Sequence, residues 1–115
     1  GSPGMNVFPV AVEGKKARVG DAMIDLGFAP QIAKGKTAEL GIRPEFIEIG
    51  KKGLPIQIRK VEDIGRQKIV RASIAGKDAS IVVKEGTEIP ADPHVTFADK
   101  GINIYADSWR VGPEG

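Results

Sequence analysis

Glycine and proline interrupt this chain so often that no long helix fits between them. Fifteen glycines and eight prolines are spread over 115 residues. Between these breakers lie short runs rich in β-branched and aromatic residues. Short runs recurring at about 8–12 residues, with turn chemistry between them, read as a sandwich or a small barrel. No window of about 11 residues carries the apolar i, i+3, i+4, i+7 stripe of an amphipathic helix. A single helical turn near Ala29–Lys34 is the strongest exception.

Asn6–Val12 reads as a strand that Pro9 confines to an edge or a bulge, because proline has no amide to donate to a ladder. Lys16–Val19 and Ala22–Leu26 flank Gly20-Asp21 as a hairpin. Ala38–Ile42 is a short run ended by Pro44, and Phe46–Ile49 is a partly alternating run after it. Ile56, Ile58 and Val61 face one way and return through Ile69–Ile74, with Asp63-Ile64-Gly65-Arg66 turning the chain. Gly76-Lys77-Asp78 is expected to turn into Ala79–Val83. Val95–Phe97 and Ile102–Tyr105 are separated by a further turn signal, Asp99-Lys100-Gly101.

The length is that of one domain, sufficient for a core without staples. Cysteine is absent, which excludes a disulfide framework, a thiolate metal site and a cysteine nucleophile. Apolar residues at 41% and charged residues at 28% fit a globular chain rather than a disordered one. Apolar runs such as Ile81-Val82-Val83 fall far short of the roughly 20 residues that span a membrane. No secretory leader is recognisable, so the expectation is a soluble, cytoplasmic domain. The net charge of +2 is too small to imply nucleic acid by itself.

The chemical motifs are thin. Gly35-Lys36-Thr37 resembles the end of a phosphate-binding loop, where lysine meets phosphate and the hydroxyl meets magnesium. The glycine required five residues earlier is Pro30 here. His94, with Asp92 two positions before it, is the only histidine, and a catalytic zinc wants three protein ligands. The carboxylates Glu13, Asp21, Asp25, Glu39, Glu45, Glu48, Glu62 and Asp63 sit mostly at turns, where they cap local backbone. Lys15, Lys16, Arg18, Arg59, Lys60, Arg66, Lys68 and Arg71 offer a basic surface, but the phenylalanines lie in apolar runs and read as core rather than as stacking platforms for single strands. No catalytic, cofactor-binding or metal-binding residues are assigned.

Gly41-Ile42-Arg43-Pro44-Glu45 is odd for a strand, since Pro44 removes a donor and holds Arg43 extended. The chain must leave its sheet there, and Arg43 and Glu45 are placed to pair beside the proline. Leu40–Glu45 resembles the most recognisable hexapeptide of the C-terminal, transport-associated OB-type domain of ABC-transporter ATPases of the maltose and glycerol-phosphate importer class. Gly1-Ser2-Pro3-Gly4-Met5-Asn6 is similar to that family's GSP-x-MN junction. Val61-Glu62-Asp63-Ile64-Gly65 resembles its VE-x-hydrophobic-Gly turn, and Asn103–Asp107 its final strand. The matches fall in the family's order and cover nearly the whole chain.

The resemblance implies an all-β fold, a small OB-like Greek-key barrel of short, mostly antiparallel strands. It implies a junction over residues 1–6, an OB-type domain over 7–111 and a frayed tail over 112–115. It makes Gly1–Asn6 native sequence at a domain boundary, where the residues alone also fit a cloning scar over Gly1–Gly4 before a start at Met5. It implies a non-catalytic regulatory and dimerisation domain of an importer's ATPase subunit, itself without cofactor. ATP and Mg would belong to an N-terminal domain outside this chain, and the parent would sit on the inner face of the cell membrane. The implied partners are a second copy, permease subunits through the ATPase domain and a cytoplasmic regulator, with no nucleic acid. The expected contact segments are Gly41, Ile42, Arg43, Pro44 and Glu45, the turn of Asp63 and Gly65, and Asp99–Gly101. Two other readings stay open: an OB module binding an oxyanion or small effector, and an OB domain for single-stranded nucleic acid.

Overall fold

The computed structural model describes residues 4–33, 36–107 and 109–111, with Trp109 described by its backbone alone. The expected junction residues Gly1–Pro3, the tail over 112–115, and Lys34 and Gly35 lie outside the described residues. The described chain forms eleven strands and two short 3-10 turns. The strands are β1 (Asn6–Glu13), β2 (Lys16–Val19), β3 (Ala22–Asp25), β4 (Ala38–Ile42), β5 (Ile47–Gly50) and β6 (Leu54–Asp63). They continue as β7 (Gln67–Ile74), β8 (Lys77–Lys84), β9 (His94–Phe97), β10 (Asn103–Ala106) and β11 (Trp109–Val111). The turns are η1 (Pro44–Phe46) and η2 (Asp99–Gly101).

One sheet has the order β11-β10-β4-β1-β2-β3 and the other β5-β9-β6-β7-β8, with antiparallel pairing throughout. The expected all-β, OB-like architecture is therefore borne out. Alternate residues of both sheets meet in one apolar core. Phe8 of β1 and Phe97 of β9 stack across it with ring centroids 5.7 Å apart. Leu40, Ile42, Val70, Ile74, Ile81, Val95 and Ile104 are fully buried in the same cluster. At roughly 1.5–3 kcal/mol for each large aliphatic or aromatic side chain buried, this cluster is the main source of stability.

Pro9 confines β1 as expected, though over a few residues only. β1 pairs with β4 along Asn6–Val10 and with β2 along Ala11–Glu13, so at Pro9 it has a neighbour on one side only. The spacing of Ile56, Ile58 and Val61 also has a cause. Ile58 pairs with Ala72 but Lys60 pairs with Arg71, so Arg59 is an inserted bulge residue. The bulge brings Val61 opposite Val70, yet Val61 lies beyond the core and is 43% exposed.

Several expectations are corrected. Residues 29–33 form no helix. Phe46 belongs to η1 rather than to the following strand, because its amide donates to the Arg43 carbonyl (3.0 Å) as Pro44 turns the chain. The turn placed at Gly76-Lys77-Asp78 is Ala75-Gly76, with Ile74 directly opposite Lys77. Both turn residues have positive φ, 49° and 76°, the geometry that matches the right-handed twist of a two-residue hairpin. Lys77 and Asp78 are thereby released to β8. The turn expected at Asp99-Lys100-Gly101 is present as η2, and it carries the chain from one sheet to the other. β11, paired with β10, had no expectation attached to it.

Candidate functional site

The corner at Gly41–Glu45 is where the chain changes sheets. Arg43 is extended (φ −73°, ψ 151°), as a residue before proline must be. Pro44 is buried at the start of η1, while Arg43 and Glu45 on either side are exposed. The expected ion pair between them does not form, since none of the described ion pairs includes either residue. The alternation explains this: a buried proline between them turns both side chains outward, each free to meet something else.

The return crossover packs directly on this corner. Ala98 N–H donates to the Phe46 carbonyl (2.9 Å). The Phe46 side chain lies flat against Gly101, where a side chain would overlap it, and Lys100 Nζ sits 5.6 Å above its ring. The corner and the Asp99–Gly101 turn, singled out separately in the sequence, thus form one surface feature. The Asp63–Gly65 turn is not tied to it. That turn caps the β6–β7 hairpin: Asp63 Oδ1 accepts from Gly65 N–H (2.9 Å) and Ile64 N–H donates to Gln67 C=O (3.0 Å). Its tip leaves Ile64 55% exposed.

The two most family-like segments meet in the β1–β4 ladder. Asn6 lies opposite Ile42 and Val7 opposite Gly41. Gly41 lacks a side chain, and Met5 and Tyr105 fill the space over it. A Cβ at Gly41 would stand 2.9 Å from Met5 Sδ and from Tyr105 Cε2. Tyr105 Oη is 3.8 Å from the same sulfur. The absence of a side chain at Gly41 thus makes room for this cover, and its φ is not in the left-handed region.

Asn6 does something the sequence reading missed. It is buried, and its side-chain amide clasps the two sheets together. Nδ2 donates to Ile42 C=O (3.2 Å) and to Ser80 C=O (2.9 Å), while Oδ1 accepts from Ser80 N–H (2.8 Å). β8 is the last strand of its sheet, so the Asn6 amide stands in for a neighbouring strand at that position. The network continues outward. Arg71 Nη1 donates to Ser80 Oγ (2.7 Å) and Arg71 Nε to Glu62 Oε1 (2.8 Å). The only sequence signal was an asparagine opening a β-type run, an unusual residue for a buried strand position.

The hydrogen bond from Arg71 holds the Glu62 carboxyl below its ordinary value, against a smaller opposing push from desolvation. A depressed carboxylate contributes stability above its unfolded-state value and loses it as pH falls through the folded-state value. Glu62→Gln should therefore flatten part of the acid limb of stability against pH. Urea unfolding from about pH 6 to about pH 3 would show it; an unchanged limb would mean the pair contributes nothing.

The remaining motifs resolve locally. Lys36 Nζ is 3.0 Å from Asp107 Oδ2, and Thr37 Oγ1 donates to Asp107 Oδ1 (3.0 Å). The groups a phosphate loop would aim at a nucleotide are committed to a carboxylate, which their hydrogen bonds hold below its usual range. His94 Nδ1 lies 2.9 Å from the Asp92 carbonyl oxygen, a contact within its own loop. Among the described residues no group of three or more His, Asp or Glu is placed to hold a metal ion, and no helix is long and apolar enough to cross a membrane. Phe8 and Phe97 are core residues, and Phe28 and Phe46 pack partly against the core.

Known proteins are similar to this chain in sequence. Residues 1–47 match the family model of the MalK OB fold domain. Over its whole length the chain is 33% identical to an sn-glycerol-3-phosphate import ATP-binding protein of Agrobacterium fabrum, covering 33% of that protein. A protein of the same description from Bordetella avium is 27% identical over 100% of this chain and 30% of its own length. One from Paracoccus denitrificans is 31% identical over 86% of this chain and 31% of its own length. The chain thus spans about a third of the length of the relatives it matches. The resemblance read from the motifs is borne out.

Proposed function

We propose that this chain, an OB-type domain of the kind found in sugar and glycerol-phosphate ABC importer ATPases, is the non-catalytic regulatory and dimerisation domain of such an ATP-binding subunit. The observation that carries the reading is the whole-chain similarity to import ATP-binding proteins about three times as long. In this reading nucleotide and Mg are held by the part of the subunit that this chain does not include. The subunit would work with permease partners at the inner face of the membrane.

The geometry supports an interface role for the corner. Arg43 and Glu45 are exposed, carry opposite charges and flank the buried Pro44 of η1, whose Phe46 packs on Gly101 of η2. Opposite charges held apart on one surface suit a two-fold interface, where each arginine can meet the glutamate of a second copy. The test is the double variant Arg43→Ala/Glu45→Ala in the complete ATP-binding subunit, followed by light scattering and by transport-coupled ATPase assay. The dimer should weaken about tenfold or more, as loss of central interface residues does. An unchanged dimer with unchanged coupling would overturn the proposal.

A further inference from the structure

We propose that Asn6 is a positioning residue for the contact between two copies: assisted by Met5, it fixes from the interior where Arg43 and Glu45 stand on the surface. This inference rests on the reading of the Gly41–Glu45 corner as a dimer interface. Arg43 and Glu45 take part in none of the described ion pairs. Their placement therefore falls to the backbone that carries them, and one buried side chain reaches that backbone from two directions.

The first direction is through β4. Asn6 Nδ2 donates to the carbonyl of Ile42 (3.2 Å), the residue before Arg43. A peptide unit is planar, so the Ile42 carbonyl and the Arg43 amide belong to one rigid plate. A hydrogen bond on the carbonyl thus sets the tilt from which Arg43 departs. Ile42 is itself fully buried, and Met5 and Tyr105 cover Gly41 just before it. The strand is held as far as the corner.

The second direction is through β8. The same amide takes both backbone groups of Ser80, donating to its carbonyl (2.9 Å) and accepting from its N–H (2.8 Å). β8 lies against η1, the turn that carries Glu45. Between the two charged residues stands Pro44, whose ring locks its φ. Arg43 and Glu45 are therefore placed together, by a network of packed and hydrogen-bonded groups running inward to Asn6.

The test is a double-mutant cycle on the dimer dissociation constant of the complete ATP-binding subunit. It is measured by analytical ultracentrifugation at a temperature where thermal unfolding shows every variant folded. Asn6→Leu should weaken the dimer about fivefold or more when Arg43 and Glu45 are present. In the Arg43→Ala/Glu45→Ala background the same substitution should cost less than about twofold, because no charged contact is left to misplace. A residue that only stabilises the fold would weaken both backgrounds alike. Val70→Ala, a core change in β7 that removes none of the Asn6 bonds, is the control for that behaviour. Met5→Ala uncovers Gly41 and serves with the same expectation if Asn6→Leu does not fold. Equal weakening in both backgrounds, or no weakening when Arg43 and Glu45 are present, would overturn the inference and leave the interface reading standing. A dimer that Arg43→Ala/Glu45→Ala leaves unchanged would overturn the interface reading, and this inference with it.

Discussion

Replacing Gly53 by alanine should lower stability by about 3–5 kcal/mol, a large share of the 5–15 kcal/mol typical of a domain. Gly53 precedes β6 with φ +102°, and an added Cβ would overlap the carbonyl oxygen of Val95. That oxygen is backbone in β9, held between β5 and β6, so it cannot swing aside as a flexible side chain would. Gly65 supplies the control. Its φ is nearly the same, +100°, but nothing stands within 4 Å of its added Cβ. Gly65→Ala carries the conformational cost alone, about 1–2 kcal/mol. Thermal unfolding of both variants separates the effects. At roughly 4 °C for each kcal/mol in a chain of this size, the Gly53 variant should melt about 12 °C or more below the parent. Equal losses at the two positions would mean that the Val95 contact is relieved by relaxation.

The second large effect is expected at Asn6. Asn6→Asp keeps size and shape but replaces the donor Nδ2 with an oxygen facing the Ile42 and Ser80 carbonyls. At neutral pH the loss should be about 3 kcal/mol, from two missing hydrogen bonds and a poorly solvated charge. The introduced carboxyl would titrate above its unfolded value, because burial and two carbonyl oxygens oppose its charged form. The loss is then small below the unfolded value, near pH 4, and grows as pH rises through the folded one. Asn6→Leu leaves Ser80 N–H unpaired but introduces no charge, so its loss of about 2 kcal/mol should not follow pH in this way. Urea unfolding of both variants at about pH 4 and pH 7 decides between them. A pH-independent loss in the Asp variant would show that the clasp opens and lets water in. Hydrogen exchange at the Ser80 amide should quicken in both.

How far the sequence alone could be read differs from element to element. The Gly20-Asp21 hairpin, the Ala38–Ile42 strand and the Asp63–Arg66 turn were legible, because each rests on neighbouring residues: a glycine where a turn needs one, an aspartate accepting from its own backbone, alternating apolar side chains. The Ala75-Gly76 turn was misplaced by one position. Local preference disfavours alanine at positive φ, and the ladder from Ile74 to Lys77 overrode it. Phe46 was misassigned for a similar reason, since Pro44 starts a turn whose last amide bonds back to Arg43.

The candidate site was legible in its parts and not in their arrangement. Gly41–Glu45 stood out as a place where the chain must leave a sheet, and so it does. That Phe46 and Gly101 lock this corner to the returning crossover depends on contacts between residues more than fifty positions apart, which no local pattern encodes. The same holds for Asn6, whose partner Ser80 lies 74 positions away. The sequence by itself determined the strand-and-turn alphabet and the corner at Pro44, because glycine, proline and apolar alternation act within a few residues. Only the tertiary structure decided which corner meets which turn, which edge is closed by Asn6 and which is left open. Those outcomes follow from the packing of two sheets around one core, where a side chain's role is set by what the distant strand opposite presents.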